Sequence, residues 1–96
     1  MLMDQDPIHK CFGVVKSIIE SADTSRIPDA QNAVEKYLAI HLEEQRLFAI
    51  EQLDNEIAKL WPANPTGDRR VVLASISAYL SKRHTQIEKQ NAAKTP

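Results

Sequence analysis

Between Asp29 and Trp61 the chain runs for thirty-three residues without a glycine or a proline, although it holds two and five of these elsewhere. A segment so free of breakers has few ways to end a helix. Its apolar residues recur at helical spacing: Ala33, Tyr37, Ile40, Leu47, Ile50, Leu53, Ile57 and Leu60. Steps of three and four place such side chains in a stripe along one side of an α-helix. Unbroken, that helix would be about 50 Å long at roughly 1.5 Å per residue, long for a chain of 96 residues. The other segments must pack around it. The stripe falters only at Glu43, Glu44, Gln45 and Arg46, where Glu44 occupies a position that should be buried. No glycine, proline or capping residue stands at 43–46, so the pattern is read as one helix with a polar waist. A break near Glu43–Arg46 would instead give four shorter helices.

The segments on either side read clearly. Asp6-Pro7 suits a helix start, with an acid at the N-cap and proline where its missing N–H costs nothing. Ile8, Phe12, Val15, Ile19 and Ala22 follow as a core seam, widened by Cys11, Val14 and Ile18. Gly13 inside this helix costs about 1 kcal/mol relative to alanine unless close packing offsets it. Ala22 to Pro28 is a short connector, which makes the first two helices antiparallel neighbours. Trp61-Pro62-Ala63-Asn64-Pro65-Thr66-Gly67 is the strongest punctuation in the chain. The residue before a proline is pushed out of the α region, so the long helix should end at Leu60 or Trp61. Asn64 to Gly67 carries type I turn residues. A last helix is expected from Asp68 to Gln90, with Leu73, Ile76, Leu80 and Ile87 as its seam and Val72 and Tyr79 flanking. Residues 1–6 and 91–96 are expected to be loose ends of a single helical domain, 7–90.

The fold class is therefore all-α: a small bundle of three helices built on a long antiparallel hairpin. In that arrangement the first helix covers only the open end of the hairpin. The turn end, its most apolar part, stays uncovered, and a large apolar patch usually marks a contact surface. Leu53, Ile57, Trp61, Val72, Ile76 and Tyr79 are then the candidate partner contacts, and a homodimer the expected assembly. A break in the long helix removes this argument.

Charge is divided along the chain. Residues 29–61 carry seven acids against three bases, residues 68–96 six bases against two acids, and the whole chain is at −1. An acidic helix lying against a basic one accounts for the division without a ligand. The sharper alternative is a dimeric DNA-binding regulator that uses Arg69, Arg70, Lys82 and Arg83 on the last helix. The two basic pairs lie about 13 residues apart, so their faces overlap only in part, and the helix lengths suit a helix-turn-helix poorly.

Other chemistry finds little footing. Cys11 is the one cysteine, which excludes an internal disulfide and a cysteine-based zinc motif; it is expected to be buried and inert. His9, His41 and His84 lie on three segments, without the repeated Glu-x-x-His of carboxylate-bridged metal bundles. No nucleophile elbow or phosphate-binding loop occurs. No stretch approaches the roughly 20 apolar residues of a membrane span, and the acidic N-terminus is unlike a signal peptide. The sequence thus predicts a cytoplasmic, non-enzymatic protein-interaction module, such as an adaptor, chaperone-like subunit or inhibitor. It would work by helix-to-helix packing without cofactor, metal, small-molecule substrate or membrane.

Overall fold

The computed structural model describes residues 7–63 and 66–94. The expectations for residues 1–6, for Asn64 and Pro65 of the turn, and for the last two residues lie outside the described residues. Four α-helices follow in order: α1 (Pro7–Ser21), α2 (Ile27–Ala39), α3 (Arg46–Ala58) and α4 (Gly67–Lys94). Single 3₁₀ turns at Thr24–Arg26, Glu43–Gln45 and Trp61–Ala63 join them, and there is no strand among the described residues.

The long segment is therefore two helices, not one. α2 stops at Ala39 and α3 starts at Arg46, with Leu42 between them in extended backbone at φ −63° and ψ 149°. A break needs donors for the last carbonyls of α2, and here side chains supply them. Arg46 Nε donates to Leu38 O at 3.0 Å and to His41 O at 3.1 Å. His41 Nδ1 donates to Tyr37 O at 2.8 Å, with its ring edge-on to the Tyr37 ring. A guanidinium also suits the negative end of the helix dipole. The polar residues that looked like a waist thus include the cap of the break. Ile40, expected in the stripe, lies just past the end of α2 and is exposed.

The break lets the chain fold back on itself. α4 packs against all three other helices, and α1 reaches α3 as well as α2 and α4. One core results, holding Val15, Ile18 and Ile19 of α1, Val34 and Leu38 of α2, Ile50, Leu53 and Ile57 of α3, and Leu73, Ile76 and Leu80 of α4. Ile87 extends it towards the end of α4. α4 runs four residues past its expected end, through Asn91-Ala92-Ala93-Lys94, where two alanines favour helix.

The connectors show why the ends fall where they do. Asp23 accepts from the Ser25 backbone N–H at 3.0 Å and from the Ser25 hydroxyl at 2.5 Å, turning the chain between α1 and α2. Ala22 takes the left-handed conformation, φ 55°, as α1 closes with Ala22 N–H on Ile19 O. Gly67 opens α4 at φ +78°, a conformation that costs glycine little. Gly13, by contrast, has nothing within 4 Å of where a Cβ would sit, so no close packing explains it.

Candidate interaction surface

The six residues proposed from sequence as partner contacts divide into two groups. Leu53, Ile57, Val72 and Ile76 are buried in the one core that α1 shares with α3 and α4. The surface argument for these four depended on a continuous long helix, and the break removes it. Trp61 and Tyr79 are partly exposed, and each is engaged within the chain. The Arg70 guanidinium lies 4.8 Å from the centre of a Trp61 ring, a cation–π contact across the α3–α4 turn. The Tyr79 hydroxyl donates to Glu35 of α2. Burial, and then that bond and the Glu35 charge, push the Tyr79 hydroxyl up to about 12.

The basic candidates are likewise dispersed. Arg69 and Lys82 are exposed, but Arg83 is half-buried, with Nε 2.8 Å from Glu35 and a second nitrogen on Gln86. With Arg70 over Trp61, two of the four face their own bundle. His84 adds another link across the division of charge, with Nε2 2.9 Å from Glu51 of α3 and Nδ1 3.4 Å from Glu88. Acidic α2 and α3 are thus bridged to basic α4 by Glu35–Arg83 and Glu51–His84, the arrangement expected from the split of charge. Glu56 and Lys59 also pair at 3.0 Å, as their spacing predicts.

What the surface shows instead is apolar. Among the described residues the large exposed hydrophobics are Val14, Ile40, Leu42, Phe48 and Val71. Three of these lie in the nine residues around the α2–α3 connector: Ile40 and Leu42 are each 63% exposed and Phe48 64%. A groove of about 580 Å³ runs between α1 and α2, from Pro7 and Ile40 to Val14 and Asp29, and of the three residues Ile40 lines it. Cys11, Val14, Ala33, Tyr37 and Ile40 supply its apolar lining, and Lys10, Lys36 and, at its far end, Asp29 its charges. Cys11 is buried in this wall, its thiol donating to Ala33 O at 3.5 Å, and burial pushes it up to about 11. A thiol held neutral in this way is a poor nucleophile. Sequence periodicity had no means of exposing Ile40 and Leu42, because their exposure follows from where α2 ends.

Two further hollows are polar. One, of about 390 Å³, gathers His9, Phe12, Tyr37, His41, Gln52 and Glu56 from three helices and the connector. Its His41 is held by the Tyr37 carbonyl and its Glu56 by Lys59. The other, of about 430 Å³, contains the Glu51–His84 pair. No group of three or more histidine, cysteine or carboxylate side chains suited to a metal ion occurs among the described residues. Nor, among them, is any helix long and apolar enough to cross a membrane. No protein-family model matches the sequence, and comparison with curated proteins and with solved structures returns no match.

Proposed function

We propose that this chain is a small non-enzymatic interaction module that associates with itself through the α1–α2 face and the α2–α3 connector. The observation that supports the reading is the exposure of Ile40, Leu42 and Phe48 within nine residues at the connector, with Ile40 also lining an apolar groove. Each is exposed by more than half, and burying one such side chain is worth about 1.5–3 kcal/mol. Leaving three in water within nine residues is unfavourable unless a second surface covers them. Among the described residues of the turn end, first expected to carry the contact, Val71 is the large exposed hydrophobic.

Sedimentation equilibrium over a wide concentration range tests the reading. A monomer–dimer equilibrium that persists at moderate salt is the expected result, because the contact is mainly apolar. A monomer at every concentration overturns self-association. The DNA-binding alternative predicts instead retention on duplex DNA at low salt, with a steep loss as salt rises. Engagement of Arg70 and Arg83 within the bundle favours the interaction module over it.

A further inference from the structure

Resting on that self-association, we infer that the occupant of the α1–α2 groove is the connector of a second copy of this chain. Leu42 of each protomer seats in the partner's groove, and Glu44 meets the partner subunit's Lys36. The argument begins with the knob. Leu42 is extended, well exposed, and fixed in place by the Gln45 N–H on its own carbonyl at 2.9 Å. On its N-terminal side the His41 N–H bonds Leu38 O at 3.1 Å, and Arg46 clamps both Leu38 O and His41 O. Leu42 is therefore carried by backbone that is held on both sides. It is a rigid projection, already ordered before any partner arrives, so little conformational freedom is lost on docking.

The hole is close to the knob in sequence. The groove ends at Ile40, two residues before Leu42, and Lys36 stands one helical turn before Ile40 on the same face of α2. Glu44 is exposed in the 3₁₀ turn just beyond Leu42. In the proposed dimer a two-fold axis passes close to Ile40 and carries each knob to the opposite hole. It also sets each carboxylate against a lysine of opposite charge. Such a contact is isologous and closes at two subunits. Each element appears twice, so two leucines and two ion pairs form per dimer.

The test uses the full chain with Lys36→Glu, Glu44→Lys and Leu42→Asp, followed by sedimentation equilibrium, with circular dichroism as a check on folding. Lys36→Glu and Glu44→Lys, alone, each make both cross-pairs like-charged and should weaken the dimer about tenfold. Leu42→Asp places two charges in apolar grooves and should weaken it about a hundredfold or more. An equimolar mixture of the Lys36→Glu and Glu44→Lys chains should dimerise as well as wild type. In the mixed species both intermolecular pairs are again opposite in sign, whereas within each chain positions 36 and 44 remain alike. Recovery in the mixture therefore reports a contact between subunits. A wild-type dimer unaffected by these changes overturns the groove assignment and leaves self-association standing. Weakened single variants that do not recover on mixing overturn the Lys36–Glu44 pairing. A wild-type chain that is monomeric throughout overturns both readings.

Discussion

Arg46 Nε lies 3.0 Å from the carbonyl oxygen of Leu38, eight residues earlier, and 3.1 Å from that of His41. One side chain at the start of α3 thereby finishes α2, in place of the glycine that commonly follows a helix. A hydrogen bond from a charged donor contributes about 1.5–3 kcal/mol, and a half-buried carbonyl left without a donor adds a penalty. Arg46→Met, which keeps much of the aliphatic stem, should therefore lower stability by about 2 kcal/mol. The check is the urea midpoint, and an unchanged midpoint would show that water caps α2 equally well.

The two backbone anomalies of α1 predict opposite substitutions. Gly13 is exposed with open space at its Cβ position, so Gly13→Ala should stabilise the protein by about 1 kcal/mol through helix propensity alone. Ala22 sits at φ 55°, which costs a residue with a Cβ about 1–2 kcal/mol, so Ala22→Gly should also stabilise, by somewhat less than that strain. Thermal unfolding of the two single variants and the double variant tests both. The sites lie nine residues apart, Gly13 within α1 and Ala22 just past its end, so their effects should add.

Ile57 separates the core from the contact surface. It is fully buried, so Ile57→Ala should cost about 2–5 kcal/mol through lost burial and the cavity left behind. Phe48→Ala, at an exposed site, should change monomer stability by less than about 0.5 kcal/mol. Denaturant titration at concentrations below the dimer range distinguishes them. Equal losses for the two would mean that Phe48 is packed against the bundle.

His84 makes stability depend on pH. Its hydrogen bond to Glu51 outweighs the opposing effect of burial and, with the charges of Glu88, Glu51 and Asp54, holds the imidazole above its ordinary value of 6.5 in the folded chain. The group facing it from α3 is thus an acid, and so is its neighbour on α4. With the folded value raised, the contribution is complete below the unfolded value and disappears as pH rises through the folded one. The stability difference between wild type and His84→Gln should therefore be largest below pH 6.5 and shrink as pH rises above that value. A difference that is constant over this window would mean that the ring does not charge against Glu51.

Tyr79 extends the same reasoning into alkali. Its hydroxyl, donating to Glu35, is pushed up to about 12. The folded chain then holds a proton that the unfolded chain gives up near 10, so stability should fall as pH rises between these values. Absorbance titration of the phenolate in a Tyr37→Phe background follows Tyr79 alone. Glu35→Gln should bring the transition down, and no movement would show that burial accounts for the whole shift.

The helical character of almost every segment was legible in the residues. Leu73, Ile76, Leu80 and Ile87 form the α4 seam that their spacing predicts, and all are buried. The proline after Trp61 marks the α3–α4 turn, and Cys11 is buried as its apolar neighbours suggest. Opposite charges on α2, α3 and α4 meet as Glu35–Arg83 and Glu51–His84. These features depend on local spacing or on bulk charge, which a single sequence displays directly.

The break between Ala39 and Arg46 was decided only by tertiary structure. A stripe of three- and four-residue steps fits one helix with a polar waist as well as two helices, because each half keeps the same period. The difference lies in what folding back achieves. In one long helix Ile50, Leu53 and Ile57 lie beyond the reach of α1. In two, they pack beneath it at about 1.5–3 kcal/mol for each side chain buried. The helical hydrogen bonds given up are worth only about 0.5–1.5 kcal/mol each, and Arg46 and His41 replace several of them. Burial therefore outweighs helix continuity. The same fold-back moves the exposed apolar residues from the turn end to Ile40, Leu42 and Phe48.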